Sequence, residues 1–189
     1  MALADDGELL RRIGRGDEES FTMLYRRRNG AIYRFALQMC GKPEVAEEVT
    51  QDVFLTVIRA AKQWNPERGE VISWLFSIAR NQVLRHLELG RRYEPLEEGD
   101  GEALPAGRSA PDNPLDDLTR GESLEALRVA VLSLPAQYRE AVVLCDLQEL
   151  SYEDAASVLG CPVGTVRSRL HRGRAMLVER LRPRVGCSA

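Results

Sequence analysis

The sequence predicts an all-α protein of two small helical domains joined by a flexible acidic linker. Apolar residues recur every three or four positions through both halves of the chain, and no stretch alternates as a half-buried strand would. Aromatic residues make up only 6% of the 189 residues, so aliphatic cores are expected. A proline-containing acidic segment separates the halves, which gives predicted domains at 1–92 and 121–189 with the linker at 93–120.

Three helices are predicted in the first domain. An apolar stripe runs from about residue 17 to 40 and ends at a glycine. The second helix opens at Pro43, where a missing N–H leaves no hydrogen bond unmade, and continues to about residue 63. A loop at 64–69 contains an Asn-Pro pair and a glycine, and it precedes a third helix at about 70–89.

The charge of the chain is segregated along its length. The net charge is −3, yet the linker 93–120 holds eight acids and two bases, while 163–184 holds seven arginines and one glutamate. Clustered basic charge is the electrostatic footprint of nucleic-acid binding. The acidic stretch 91–118 is expected to lack secondary structure. It could be a plain tether, or it could also occupy a channel that otherwise carries nucleic acid.

A helix-turn-helix is predicted near the end of the chain, and its second helix has two distinct faces. Ser151 is a good N-cap, Gly160 can take the left-handed conformation that ends the first helix, and Pro162 starts the second. At 100° per residue, one face is apolar and expected to pack inward. It comprises Val166, Leu170, Gly173 and Leu177. The candidate groove-reading residues are Thr165, Arg167, Ser168, Arg169, His171, Arg172 and Arg174.

Arginine binds guanine edges and phosphates, so this polar face is typical of a major-groove reader. A basic amphipathic helix that is merely solvated is the alternative. With its preceding helix and turn, the motif resembles region 4 of the extracytoplasmic-function (ECF) type of bacterial sigma factor. The resemblance rests on residues 151–156 and 160–172, and on 134–140 at the start of the same domain. It implies recognition of the minus-thirty-five promoter element.

The first domain resembles region 2 of the same family independently. Residues 46–54 resemble the helix that docks on the clamp helices of the largest polymerase subunit, and 74–81 resemble the helix that reads the minus-ten element. The loop 64–69 could hold a base extruded from the stack. The resemblance and the exposed polar positions suggest polymerase-binding residues Glu47, Glu48, Gln51 and Asp52. The suggested minus-ten residues are Asn65, Arg68, Trp74, Arg80 and Asn81, although a lone Trp in a helical stripe, such as Trp74, is more often a core residue.

The resemblance also implies partners. These are the RNA polymerase core, through the clamp helices of its largest subunit and the flap of its second-largest, double-stranded and melted promoter DNA, and an anti-sigma factor. DNA opening would then use binding energy without ATP. The alternative is a conventional helix-turn-helix regulator that binds DNA without polymerase, with the first domain as a sensor or dimerisation unit.

Catalysis, metal binding and membrane insertion are not expected. The two histidines, His86 and His171, lie in different predicted domains, and no catalytic motif is present. The four cysteines form no CxxC pair, so neither a metal site nor a cofactor is predicted. No apolar run reaches the roughly 18 residues that a membrane span needs, and the start of the chain does not have the pattern of a secretory signal. A cytoplasmic location is therefore expected.

Overall fold

A computed structural model describes residues 4–93 and 116–182 of the chain, and every regular element in these ranges is helical. The predicted all-α class with two helical domains is confirmed. The first domain contains α1 (Asp6–Ile13), α2 (Glu18–Cys40), α3 (Pro43–Ala60) and α4 (Val71–Tyr93), with 3₁₀ turns at Ala61–Gln63 and Pro66–Arg68. The second contains α5 (Asp116–Leu132), α6 (Ala136–Val142), α7 (Tyr152–Leu159) and α8 (Val163–Leu181).

The first domain is built around three long helices, α2, α3 and α4, which pack on one another. Asp17 caps α2 by accepting hydrogen bonds from the backbone of Glu19 and Ser20, and Gly41 ends it at φ 71°. The aromatic rings of Phe35 and Phe76 meet at the centre, 5.1 Å apart. Most of the rest of this core is aliphatic, as the composition indicated, and it includes Leu24, Ile32, Val49, Val53, Val57, Leu75 and Val83; Phe54 and Met39 are also buried.

Helix α1 was missed by the sequence analysis. Its side chains Leu9 and Leu10 are fully buried. Asp6, only 9% exposed, accepts from Arg27 Nη1 at 2.6 Å and from Arg28 Nε at 2.5 Å on α2. The pair of leucines followed by an isoleucine three residues later was the available signal. Eight residues are marginal for an isolated helix in water, so this one depends on packing and on the ion pairs with α2.

The expected extent of the structureless linker is wrong at both ends. Helix α4 continues to Tyr93 and α5 begins at Asp116, whereas 91–118 was expected to lack secondary structure. Residues 94–115, which carry most of the predicted acidic linker, lie outside the described part of the chain. The extension of α4 adds a turn to the helix that carries the candidate minus-ten residues.

The second domain packs its four helices around a small aliphatic core. Helix α6 passes into a π-helical turn, Val143–Leu147, where a single longer helix was expected. Both α6 and α7 pack on α8. The buried residues include Val131, Leu134, Val142, Val143, Leu144, Ala155, Val158, Leu159, Val166 and Leu170.

The two domains touch through polar side chains and through the end of α5. Arg139 Nη1 donates to the backbone oxygen of Met39 at 2.7 Å, in the last turn of α2. This bond satisfies a helix-end carbonyl in a turn that carries no basic residue of its own. Gln148 Nε2 donates to Gln38 Oε1 at 2.8 Å, and Leu132 lies against Gly41. The second domain therefore covers the carboxyl end of α2.

Gly173 sets the spacing between α8 and α6, and a methyl group there should destabilise the second domain. A Cβ at this position would lie 2.7 Å from Val142 Cγ2 and 3.3 Å from the Tyr138 backbone oxygen. Neither atom can move freely. Gly173→Ala is expected to lower the free energy of unfolding by about 1–2 kcal/mol, because overpacking outweighs the helix propensity that alanine gains.

The matched control is Gly164→Ala, on the same helix, where a Cβ would have no atom within 4 Å. That variant should be unchanged or up to about 1 kcal/mol more stable. Urea unfolding followed by circular dichroism measures both. Equal stability of the two variants would contradict the close packing at Gly173.

Candidate nucleic-acid interface

The predicted helix-turn-helix is confirmed, with its expected caps. Ser151 Oγ accepts from the backbone N–H of Asp154 at 3.0 Å and starts α7. Gly160, at φ 62° and ψ 37°, ends α7 in the left-handed region, and the next N–H bonds back to Ala156 at 3.1 Å. Helix α8 begins after Pro162. The short turn therefore fixes the angle between α7 and α8.

The two faces of α8 are divided as the periodicity predicted. Val166, Leu170, Gly173 and Leu177 are all buried. Among the candidate groove-reading residues, Thr165 and Arg169 are half-buried, and the exposed ones are Arg167, Ser168, His171, Arg172 and Arg174. The apolar side of α8 packs in the core of the domain. The arginine-bearing side takes no part in that packing and is therefore available for a partner.

Some residues of this face already have partners within the domain. The guanidinium of Arg167 lies 5.6 Å from the centre of the Tyr152 ring, which orients it by a cation–π contact. Arg174 donates to both carboxylate oxygens of Asp146, at 3.0 and 2.6 Å, and this bonding raises the pKa of Arg174 further above neutrality. Arg172 forms no hydrogen bond or ion pair with another described residue. Among the exposed arginines of this face, it is therefore the one that can bind a new partner without losing an existing contact.

The candidate minus-ten residues lie on α4 and on the loop before it. They differ in exposure and in whether their side chains already have hydrogen-bond partners. Asn81 is exposed on α4. Arg80, one of the suggested minus-ten residues, binds Glu140 of the second domain, with Nε to Oε1 at 2.7 Å. Asn65 Oδ1 accepts from the backbone of Glu67 at 2.9 Å and caps a 3₁₀ turn. The backbone of Arg68 lies in that turn, while its side chain is outside the described atoms.

A cleft of about 190 Å³ lies between the loop 64–69, the start of α4 and α7. This is smaller than the roughly 300–1,000 Å³ of sites for drug-sized ligands, so it suits one ring system. Trp74 is half-buried and lines the cleft, so it is neither a wholly buried core residue nor a free one. The other lining residues are Gln63, Trp64, Asn65, Gly69, Glu70, Ser73, Ser77 and Ser157.

Helix α1 supports one wall of this cleft. A Cβ on Gly7 would lie 2.8 Å from the Trp64 ring, so only a glycine lets α1 approach the ring this closely. The indole N–H of Trp64 is buried and has no hydrogen-bond partner among the residues that the structure describes. The loop that borders the cleft is therefore held by packing from α1, which the sequence analysis had not connected with this site.

The candidate polymerase-binding residues form a polar surface on α3. Glu47, Glu48 and Gln51 are exposed and Asp52 is half-buried, while the valine stripe opposite them is buried. Glu48 also lies 3.9 Å from His86 Nδ1. Further along α3, Leu55 and Ile58 are 48% and 55% exposed, which sequence reasoning missed. This polar set, with the two apolar residues, is called the α3 surface below.

The cysteines are small packing groups in this structure. Cys40, Cys145 and Cys161 are free and half-buried, and Cys187 lies outside the described residues. Burial raises the pKa of the Cys40 thiol and, with the nearby carboxylate of Asp146, raises that of Cys145 to about 11. Within 4–93 and 116–182, no group of three ligand-type side chains could hold a metal ion, and no helix is long and apolar enough to cross a membrane.

Two family models match the chain, one in each domain. The model described as "Sigma-70 region 2" matches residues 24–93, and the model described as "Sigma-70, region 4" matches residues 124–177. Together they cover the two ranges that carry the candidate DNA and polymerase residues. The fold and the site thus define a two-domain DNA-binding protein of the sigma-70 type.

Similar curated proteins narrow this class. The ECF RNA polymerase sigma factor SigE of Mycolicibacterium smegmatis is 39% identical over 164 residues, 86% of this chain; the match spans 62% of that relative's length. The RNA polymerase sigma-H factor of Pseudomonas aeruginosa is 30% identical over 183 residues, 94% of each chain. The ECF sigma-E factor of Escherichia coli is 30% identical over 94% of this chain and 95% of its own.

Solved structures agree with these matches. The sigma factor RpoE of Bartonella quintana, in complex with the anti-sigma factor NepR, is 29% identical with a TM-score of 0.71, over 86% of this chain and 97% of that one. CnrH in complex with the cytosolic domain of CnrY is 25% identical with a TM-score of 0.69, over 92% and 95%. The chain belongs to the ECF sigma factors of the sigma-70 family. It directs the RNA polymerase core to promoters and starts transcription there.

Family membership decides between the two functions that the sequence left open. A conventional regulator would need only the helix-turn-helix domain to match, with an unrelated sensor in the first half. Here the first domain matches region 2 over 70 residues, 24–93. The polymerase-dependent function is therefore the one that accounts for both domains.

Proposed function

We propose that α8 reads the minus-thirty-five element, that α4 and the loop before it read and help to melt the minus-ten element, and that the α3 surface docks on the polymerase clamp helices. The observation that carries the proposal is the division of α8 into a buried apolar stripe and an exposed arginine face. A helix of this kind places its side chains at base edges in the major groove. Melting would use binding energy, so the protein acts by binding and not as an enzyme.

The minus-ten assignment is supported by what α4 and the loop place together. Asn81 is exposed, and an Asn side chain can bind adenine edges bidentately. The cleft is lined by residues at the start of the same helix and is bordered by Trp64 and Trp74, on whose rings an extruded base could stack. Arg80 supplies a guanidinium for phosphate on the same helix. Together these groups suit a single strand whose bases have left the stack.

The α3 surface is supported as a docking site by its mixed chemistry. Acidic and amide groups face solvent at its amino-terminal end and favour a basic partner by electrostatic steering. The exposed side chains Leu55 and Ile58, one helical turn apart, extend the surface with apolar area that a protein partner can bury. A protein partner would bury both parts together.

Two further partners and a cellular location follow from the same proposal. The flap of the second-largest polymerase subunit would contact the second domain. An anti-sigma factor is proposed because two structural relatives with TM-scores of 0.69 and 0.71 were solved with such inhibitors or with a cytosolic partner domain. Action on promoter-bound polymerase implies a cytoplasmic location. No cofactor is proposed.

Run-off transcription with core polymerase on a library of genomic fragments tests the function, with Glu48→Lys/Asp52→Lys as the critical variant. The wild-type chain should produce specific transcripts. The double variant should lose them while remaining folded, because reversing the charge of the α3 surface repels a basic partner. The variant should also fail to compete with wild type for core polymerase.

The matched control is Glu88→Lys/Glu179→Lys, which makes the same charge change at exposed residues of α4 and α8. It should still compete for core polymerase. If Glu48→Lys/Asp52→Lys competes equally well, the α3 surface is an ordinary solvated face and the docking assignment is wrong.

Arg172→Ala should weaken minus-thirty-five recognition by roughly 1–3 kcal/mol, because it removes one base-edge or phosphate contact from the groove. Polymerase binding should be unaffected. The measurement is the affinity of the holoenzyme for a promoter recovered in the transcription experiment. Arg128→Ala, which removes the same charge from an exposed position on α5, is the control and should bind as wild type does. Equal losses in both variants would refute the assignment of the groove-reading face.

Asn81→Ala should change base preference at the minus-ten element, because the amide would no longer bind a base edge. Transcription is measured from promoter variants altered at each minus-ten position and, as the control, at each minus-thirty-five position. The variant's pattern should differ from wild type only in the first set. A uniform drop across both sets would mean that Asn81 does not read bases.

A further inference from the structure

Helix α1 meets the loop before α4 at the indole ring of Trp64. A Cβ at Gly7 would lie 2.8 Å from Cη2 and 3.3 Å from Cζ3 of that ring, so the bare backbone of the glycine contacts the six-membered part of the indole. The φ angle of Gly7 is not positive, and glycine forms helices less well than alanine. The close approach to the ring, and not the backbone conformation, is therefore what requires a glycine here.

Contacts with α2 and with the core hold α1 in place. Leu9 and Leu10 are fully buried. The carboxylate of Asp6 accepts from Arg27 Nη1 at 2.6 Å and from Arg28 Nε at 2.5 Å, one guanidinium on each oxygen. A carboxylate that is largely removed from water is strongly unfavourable without such partners. Helix α1 is therefore anchored to the body of the domain and not to the loop that it touches.

The ring of Trp64 is positioned by packing and not by a hydrogen bond. Its Nε1–H is buried and has no acceptor among the residues that the structure describes. A buried indole usually finds an acceptor, which then fixes the orientation of the ring. Without that bond, the position of the Trp64 ring depends on the groups packed against it, and α1 is one of them.

The same ring lines the cleft of about 190 Å³ before α4, together with Trp74. The cleft is open space, so a ring that α1 displaces can move into it. A cleft of this size accepts one base, and a purine needs more of the space than a pyrimidine does. The contact between Gly7 and Trp64 therefore controls the width of the cleft.

We infer that α1 is a positioning element of the minus-ten site, in which contact with Gly7 fixes the Trp64 ring and so leaves the cleft wide enough for an extruded base. The inference rests on the proposed function, since that function places the extruded base in this cleft. Gly7 is a positioning residue, because it acts through Trp64 and does not touch DNA. Base preference in the loop is thus set partly by a helix from the opposite end of the domain's sequence.

The test compares wild type with Gly7→Ala, Trp64→Phe and the double variant Gly7→Ala/Trp64→Phe. A phenylalanine ring does not reach as far from the backbone as the six-membered ring of an indole, so the double variant has room for the added methyl group. The matched control is Gly14→Ala at the end of α1, where the new Cβ would lie 3.0 Å from Cγ of the flexible Lys62 side chain.

Each protein is assembled with core polymerase, and its affinity is measured for single-stranded oligonucleotides that span the minus-ten element of a promoter recovered in the transcription experiment. Both strands are used, with each of the four bases in turn at every position. Circular dichroism reports whether each variant is folded.

Gly7→Ala should weaken binding on the order of tenfold more for a purine than for a pyrimidine at one minus-ten position, because the displaced ring obstructs the stacking of the larger base. The double variant should show the same base preference as Trp64→Phe alone. Gly14→Ala should bind every strand within about twofold of wild type. A merely structural role of Gly7 would give an equal loss for all four bases and no relief by Trp64→Phe, and either result would overturn the inference.

An unchanged base preference in folded Gly7→Ala would also overturn it. If Gly7→Ala does not fold, Asp6→Lys replaces it, because a positive charge beside Arg27 and Arg28 detaches α1, which amide hydrogen exchange of α1 confirms. That variant should lose the difference between purine and pyrimidine at one position, and a preference like that of wild type would contradict the inference. Failure of the proposed function gives a different result, since wild type itself would then show no base preference at any minus-ten position.

Discussion

The ion pair between Arg80 and Glu140 is the contact on which the arrangement of the two domains depends. The same interface contains the hydrogen bonds of Arg139 with Met39 and of Gln148 with Gln38, and the apolar contact of Leu132 with Gly41. Neither charge could stay in this interface alone, because an unpaired buried charge is strongly unfavourable. The two domains therefore either meet with both charges paired or separate with both hydrated. Such a pair favours two distinct states over a continuum of loosely associated ones.

Local periodicity was enough to predict the features that each helix determines for itself. The inward stripe of α8, the glycine that ends α7 and the exposed polar edge of α3 all follow from residue spacing and capping. These features depend on neighbours within a few positions in the sequence. For the same reason, the sequence alone was sufficient to assign the two family resemblances to the correct halves of the chain.

Features that depend on contacts far apart in the sequence could not be predicted in this way. Arg80 was predicted to be a minus-ten residue, and nothing in residues 74–81 indicates that Glu140, 60 positions away, binds it here. Arg174 pairs with Asp146 across 28 positions for the same reason. Helix α1 is too short for its own pattern to be decisive, and its Asp6 finds Arg27 and Arg28 only after folding. The ends of the linker were misplaced because acidic composition suggests disorder, although α5 starts with two aspartates at its amino-terminal end, where negative charge favours a helix.

The exposed residues of α8 fall into two groups, those with and those without contacts inside the domain, and this difference has an evolutionary consequence. Arg172 and His171 face solvent, and substitutions at such positions usually change stability by no more than about 0.5 kcal/mol. Arg167 and Arg174 are more constrained, since one stacks on Tyr152 and the other binds Asp146. If α8 reads promoters as proposed, a lineage that duplicates this gene can vary these two positions and acquire new target genes while the fold of the domain stays intact. Divergence of target genes among paralogous copies should then begin at the two positions without a partner among the described residues, before it reaches Arg167 and Arg174.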